Sequence, residues 1–150
     1  MKYISLLLLT SCLFLFSSCV KEDISEEDLI KGYIENNNLD AKEGPGGLYY
    51  TMEREGTGVQ PANIYSEVTV SYVGRLINGS EFDRSGNTPF VSTLEQVIQG
   101  WQLGIPLFKV GGKGKLIIPS RLGYGSAGAG ASIPPNSVLV FDIELLDVKN

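Results

Sequence analysis

Three segments decide the fold: VIQGW at residues 97–101, GKGKLIIPSRLGYGS at 112–126 and IPPNSVLVF at 133–141. They place Ile98, Trp101, Tyr124, Ile133 and Phe141 on a predicted helix, a loop and two strands. A single fold would bring these side chains together as an apolar wall rather than as a helical stripe. Because the segments contain no His and no Cys, chemistry at this wall must depend on a shaped hydrophobic surface, not on a nucleophile or a metal.

The composition is that of one globular domain. Of 150 residues, 43% are hydrophobic and 19% charged, and the 18 Gly and 7 Pro indicate short strands joined by tight turns. A net charge of -5 provides no basic stripe for phosphates, so a nucleic-acid partner is not expected. The chain has no His, the commonest metal ligand and general base, and we expect neither a metal nor a cofactor.

The first residues have the pattern of an export signal. Lys2 precedes an almost wholly apolar run at 4–16, and small residues follow before Cys19. The run of about 13 residues is shorter than the roughly 20 that span a bilayer as a permanent helix. A retained membrane anchor is the alternative interpretation.

The sequence LFSSC at 15–19 resembles the lipobox of bacterial lipoproteins, in which the Cys becomes the acylated N-terminus. We therefore predict a signal peptide at 1–18, a lipid-anchored helix and linker at 19–47 and a compact domain at 48–150. LTSC, ending at Cys12, is a similar run but leaves a short apolar region before it. This anchor implies the bacterial cell envelope, and the acidic residues after Cys19 resemble an export tag that favours the outer membrane or cell surface.

A short amphipathic helix is predicted after this segment. Ser25 and Asp28 form a capping box, and Ile24 and Leu29 stand at the positions of a hydrophobic staple. The apolar residues that follow fall on one helical face, namely Leu29, Ile30, Tyr33 and Ile34. The turn-rich segment 41–47 is the predicted hinge to the compact domain.

The domain itself has the pattern of a curved antiparallel sheet with one helix. Apolar residues alternate along 67–76 and again along 139–145, and AsnGly at 78–79 is a strong hairpin signal. Thr93 and Gln96 form a capping box that predicts a helix of about two turns through Trp101. We expect five or six short strands, with the helix covering one face of the sheet.

These motifs resemble the FKBP-type peptidyl-prolyl isomerases, the tacrolimus-binding immunophilins. The resemblance covers about residues 48–148 and depends on VSYVGRLINGSEFDRS, TPF, VIQGW, LGYG and SIPPNSVLVFDIELLDV, in that order. It implies an α+β fold, a half-barrel of antiparallel strands wrapped over one short α-helix, with an isomerase domain at 48–150. It also implies proline-containing polypeptides as substrates and macrolides such as tacrolimus as inhibitors.

The resemblance also implies the site residues. The catalytic set is Tyr72, Phe82, Asp83, Tyr124 and Phe141, and the substrate-binding set is Phe90, Val97, Ile98, Trp101 and Ile133. Trp101 would form the floor of the pocket, with Tyr124 and Ile133 at its mouth. The Ile98 backbone N–H would anchor one substrate carbonyl and the Tyr124 hydroxyl another, and Asp83 would face the carbonyl that rotates.

The sequence departs from this family at two places. The stretch from Phe82 to Pro89 is short and lacks the arginine that usually accompanies the aspartate, and Ala129 stands where a bulkier ring occurs in other members. We expect Arg84 and Gln96 to be solvated. The predicted function is peptidyl-prolyl cis-trans isomerisation in exported or envelope proteins. The alternatives are a prolyl-binding chaperone or docking module with little turnover, and an adhesive sheet domain.

Overall fold

The structure, a computed structural model, describes residues 24–150. Helix α1 (Glu26–Asn36) begins as predicted, because the Ser25 hydroxyl oxygen accepts a hydrogen bond of 3.1 Å from the Asp28 backbone N–H. The predicted signal peptide and the lipidation site at Cys19 lie outside the described residues. Within residues 24–150, no helix is long and apolar enough to cross a bilayer.

One antiparallel sheet forms the body of the described chain. Its seven strands follow the order β1-β2-β6-β7-β3-β4, and β5 pairs with β3 beside β4. The strands are β1 (Lys42–Glu43), β2 (Tyr49–Tyr50), β3 (Glu67–Leu76), β4 (Glu81–Arg84), β5 (Phe90–Thr93), β6 (Lys113–Ile118) and β7 (Leu139–Lys149). Six of these strands, β2 to β7, lie in the domain predicted at 48–150, where five or six were expected, and the two-residue β1 lies in the predicted hinge.

Helix α2 (Gln99–Gly104) covers one face of this sheet. A Cβ atom on Gly100 would lie 2.4 Å from the Ile118 side chain, and one on Gly104 would lie 2.6 Å from Leu116. The two glycines therefore allow the helix backbone to approach β6 closely. This close contact positions the start of α2, including Trp101, against the sheet.

The predicted start of this helix is wrong. Residues Leu94–Gln96 form a 3₁₀ turn, Val97 is extended, and Ile98 is the N-cap of α2. Thr93 is the last residue of β5 and pairs with Glu67. It stands at the N-cap of the 3₁₀ turn, not of α2, and makes no side-chain capping bond there.

Helix α1 packs on the opposite face of the sheet. Ile30 is 1% exposed and contacts a second apolar cluster with Ile117, Val138 and Val140. Since Leu116, Leu139 and Phe141 belong to the main core, β6 and β7 are buried on both faces where α1 lies. This explains why consecutive residues of these strands are apolar.

An ion pair network lies on the α1 side of the sheet, beyond Val140. The Asp142 carboxylate accepts hydrogen bonds from the side chains of Arg75 and Lys115, which belong to the two neighbouring strands. Burial alone would raise the pKa of the Asp142 carboxyl, but the bonds from Lys115 and Arg75 outweigh it, and this pKa lies below its ordinary value. The network thus joins the three central strands β6, β7 and β3.

Candidate active site

A cleft of about 330 Å³ opens where the start of α2 meets the sheet. Strands β3, β4, β5 and β7, the segment before α2, α2 itself and the loop after β6 all contribute side chains. The lining residues are Tyr72, Phe82, Asp83, Phe90, Gln96, Val97, Ile98, Trp101, Tyr124 and Phe141. The cleft therefore has apolar walls and a small group of polar atoms at one side.

Trp101 lies at the centre of the aromatic cluster and is 4% exposed. Its ring centroid is 5.0 Å from that of Tyr72 and 5.2 Å from that of Phe141, both in edge-to-face geometry. Such contacts fix ring orientation as well as burying area. The indole Nε1 atom is buried and has no hydrogen-bond partner among the described residues, so Trp101 presents carbon, not an exposed donor, to the cleft.

Phe82 and Phe141 form a wall whose packing depends on a glycine. Their rings meet edge to face with centroids 5.5 Å apart. A Cβ atom on Gly74 would lie 2.8 Å from the Phe82 ring and 2.9 Å from the Phe141 ring. Gly74 is therefore a supporting residue that the sequence analysis missed. A glycine inside a strand pattern is the signal that could have revealed it.

The polar side of the cleft is centred on Asp83. The Tyr72 hydroxyl donates a hydrogen bond of 2.6 Å to Asp83 Oδ2, and the Arg84 backbone N–H donates one of 2.8 Å to Oδ1. The Arg84 guanidinium pairs with Glu81. Asp83 is thus oriented without an arginine side chain, by a phenol and a backbone amide.

The two phenols at the cleft keep their protons more firmly than a free tyrosine. Burial, together with the hydrogen bond to Asp83, raises the pKa of the Tyr72 phenol. Burial and the nearby Asp83 charge raise the pKa of the Tyr124 phenol. Both hydroxyls therefore remain hydrogen-bond donors well above neutral pH. Tyr124 is 39% exposed, so its hydroxyl is accessible from solvent.

The segment before α2 supplies a backbone donor. Val97 and Ile98 are extended, and Ile98 caps the helix with its carbonyl, which accepts from the Trp101 N–H at 2.9 Å. Among residues 24–150, no hydrogen bond engages the Ile98 backbone N–H. This N–H lies in a segment that lines the cleft, where it can bind a carbonyl of a ligand.

The structure brings nine of the ten predicted site residues into this cleft. Ile133 is the exception, because its side chain is 6% exposed and packs in the main core. Its backbone pairs with Ala129, with N···O distances of 2.8 and 3.1 Å. Gln96, which we expected to be only solvated, also lines the cleft. The described residues contain no group of three or more His, Cys, Asp or Glu suited to a metal.

These features define a class: a curved antiparallel sheet over a short helix, with an aromatic cleft suited to non-covalent binding. Residues 58–146 match the family described as "FKBP-type peptidyl-prolyl cis-trans isomerase". The match covers more than half of the chain. The chain belongs to the FKBP-type peptidyl-prolyl cis-trans isomerase family.

The relatives agree with this assignment. FkpA of Escherichia coli strain K12 is 50% identical over 105 residues, which are 69% of this chain and 38% of the relative. FkpA of Buchnera aphidicola from Schizaphis graminum is 44% identical over 135 residues, 86% of this chain and 53% of the relative. The chain therefore spans about half the length, or less, of these curated relatives.

Two solved structures confirm the fold. The crystal structure of FkpA from Escherichia coli superposes with a TM-score of 0.74 at 42% identity, covering 83% of this chain and 59% of that one. A peptidyl-prolyl cis-trans isomerase from Pseudomonas syringae gives a TM-score of 0.72 at 35% identity, covering 85% of this chain and 98% of that one. The predicted α+β half-barrel is thus confirmed.

Proposed function

We propose that this protein accelerates cis-trans rotation of X-Pro bonds in exported or envelope polypeptides. The proposal depends on one observation: the same cleft contains a buried aromatic floor at Trp101 and an Asp83 side chain oriented by Tyr72. The reaction breaks no covalent bond, so it requires neither a nucleophile nor a metal. Its barrier of about 18–20 kcal/mol arises because amide resonance is lost midway through the rotation.

The cleft favours the twisted amide over the planar one. Resonance makes the planar amide more polar, so an apolar environment stabilises the twisted transition state relative to the ground state. The prolyl ring would lie on Trp101, between the Phe90 and Phe141 rings, whose centroids are 5.9 and 5.2 Å from that of Trp101. This contact would hold the ring still while the preceding carbonyl rotates.

Polar groups at the edge of the cleft would hold the rest of the substrate. The Ile98 N–H would bind a backbone carbonyl on one side of the proline, and the Tyr124 hydroxyl would donate to another. Asp83, oriented by Tyr72, would face the rotating carbonyl. If the two hydrogen bonds from Ile98 and Tyr124, at about 1–1.5 kcal/mol each, form fully only in the transition state, together they contribute roughly 30- to 150-fold in rate, at about 1.36 kcal/mol per tenfold.

An exchange experiment separates this enzyme from a prolyl-binding docking module. Trp101 is the only tryptophan of the chain, so its fluorescence reports ligand binding in the cleft. Cis-trans exchange of an Ala-Ala-Pro-Phe peptide is measured by NMR at catalytic protein concentrations. We expect the fluorescence to change on binding and exchange to accelerate. Binding without acceleration would favour the docking module.

Macrolides are the proposed inhibitors of this cleft. A tacrolimus-like ring would place its carbonyls and its proline-like ring where the substrate binds, so it should compete with the peptide. Ala129 has a small side chain near the mouth loop, which reduces the contact area available to a macrolide more than it affects a peptide. We expect tacrolimus to inhibit exchange competitively. Inhibition that excess peptide does not relieve would place the macrolide elsewhere.

Cys19 is the proposed site of lipidation, with the domain held at the bacterial cell envelope. One acyl chain binds a membrane only marginally, so stable anchoring needs more than one. We expect Cys19→Ala to abolish fatty-acid labelling and membrane retention when the full chain is expressed. Labelling that persists in Cys19→Ala and disappears in Cys12→Ala would assign the anchor to Cys12.

A further inference from the structure

We propose that Glu26, at the start of α1, is a positioning residue for the loop that carries Tyr124. The inference rests on the proposed function, because it assigns a role within that cleft. The Glu26 carboxylate accepts hydrogen bonds from both donors of Ser120: the backbone N–H at 2.8 Å and the hydroxyl at 2.5 Å. These residues are 94 positions apart in sequence, so the contact exists only in the folded domain.

Ser120 needs an acceptor that its own turn does not supply. It is the first residue of a 3₁₀ turn, Ser120–Leu122, that follows Pro119. The N–H groups at the start of such a turn have no partner within it, and Ser120 is 5% exposed, so little water can reach it. A buried donor left unpaired destabilises the fold. Glu26 provides a charged acceptor at this point.

The turn leads directly to Tyr124. The Gly123 N–H closes the turn on the Ser120 carbonyl at 2.9 Å, and Leu122 is buried in the main core. Tyr124 follows between Gly123 and Gly125, and Gly125 has a φ of 56°. Since the Gly123 N–H is bound to the Ser120 carbonyl, the closed turn fixes the backbone immediately before Tyr124.

Helix α1 is fixed against the sheet by packing, so it holds Glu26 in place for this contact. Its Ile30 side chain is buried against β6 and β7, the two strands that flank the Tyr124 loop in the chain. A second bond, from the Arg121 guanidinium to the Gly46 carbonyl at 2.5 Å, joins the same turn to the segment after α1. The segment before the compact domain thus contacts the loop that carries Tyr124 at two points. At one of them the charged Glu26 carboxylate accepts hydrogen bonds from the buried donors of Ser120.

Full-chain variants test this role by peptide exchange. We expect Glu26→Ala to lower kcat/KM by about 3- to 10-fold, the effect of losing part of a charge-assisted hydrogen bond. Glu26→Gln should restore most of the activity, because its amide can accept from the Ser120 N–H and donate to the hydroxyl. Glu27→Ala is the matched control: it removes the same charge one position away, where the side chain pairs with Lys31 at the surface.

A double-mutant cycle separates positioning from general stability. In a Tyr124→Phe background, where no hydroxyl remains to be placed, Glu26→Ala should have an effect of less than about twofold. An undiminished effect in that background, or Glu26→Ala with wild-type kcat/KM, would overturn the proposal. Failure of Glu26→Gln to restore activity would contradict the bonding described here.

Amide hydrogen exchange supplies a readout that does not depend on activity. We expect Glu26→Ala, but not Glu27→Ala, to accelerate exchange at Ser120 and Gly123. If neither variant changes exchange, the proposal fails even in an active enzyme. If the wild-type protein does not accelerate X-Pro rotation while Glu26→Ala still loosens the loop, the proposed function fails and the support of the loop by Glu26 stands.

Discussion

Tyr72→Phe removes one oxygen atom from the cleft and leaves its aromatic packing intact. The phenylalanine ring can keep the edge-to-face contacts with Trp101 and Phe90, at centroid distances of 5.0 and 5.9 Å. The lost interaction is the 2.6 Å hydrogen bond to Asp83. The substitution therefore tests whether an oriented Asp83 contributes to the reaction, separately from the shape of the cleft.

The expected magnitude follows from the exposure of the aspartate. Hydrogen bonds to charged groups contribute about 1.5–3 kcal/mol, but Asp83 is exposed, so water replaces part of the lost bond. We therefore expect the variant to lose about 1 kcal/mol of transition-state stabilisation, which corresponds to roughly a fivefold fall in kcat/KM. The free energy of unfolding should change by less than about 1 kcal/mol, because water can solvate the freed carboxylate oxygen.

The assay is NMR exchange of an X-Pro peptide, with thermal unfolding measured on the same samples. Tyr65→Phe is the matched control, since it makes the same chemical change at a side chain that is 68% exposed and outside the cleft. We expect Tyr65→Phe to have wild-type activity. Wild-type kcat/KM in Tyr72→Phe would mean that the orientation of Asp83 by Tyr72 does not contribute to the reaction.

Further predictions concern the support of the cleft and the effect of pH. Gly74→Ala should lower kcat/KM more than tenfold and destabilise the fold by about 1–3 kcal/mol, as measured by exchange and denaturant unfolding. Gly32→Ala, where a Cβ meets no atom within 4 Å, should raise stability by about 0.5–1 kcal/mol with activity unchanged. The lowered pKa of Asp142 means that its ion pairs stabilise the fold above the unfolded-state pKa of about 3.9. That stability should be lost as the pH falls below this value. Asp142→Asn should make the free energy of unfolding less dependent on pH in this acid range. Because the pKa of Tyr124 is raised, the midpoint of the alkaline fall in kcat/KM should lie above the ordinary phenol pKa of about 10, and Tyr124→Phe should remove this fall.

Much of the fold could be predicted because its signals are local. The Ser25 capping box, the AsnGly turn and the alternation along β3 and β7 each depend on residues that are close in sequence. The start of α2 could not be predicted this way. Thr93 has the side chain of a helix cap, but it caps only a 3₁₀ turn, and α2 begins after Ile98, which has no capping side chain.

The cleft, like the fold, could be predicted only in part. The large aromatic side chains were identified through a resemblance carried by motifs, and nine of the ten predicted residues line the cleft. What the sequence does not reveal is how other groups support them: the Tyr72 phenol that orients Asp83 and the Glu26 carboxylate that holds Ser120. Each of these depends on a hydrogen bond between distant segments, and no spacing rule encodes it.

We propose above all that the aromatic cleft catalyses rotation of the X-Pro bond. Exchange spectroscopy on a proline peptide, with wild-type protein and Asp83→Ala at equal catalytic concentrations, tests it most directly. We predict a clear acceleration of cis-trans exchange by the wild-type protein and a reduced one by Asp83→Ala, with both proteins folded. Exchange at the uncatalysed rate in the presence of folded wild-type protein would contradict the account.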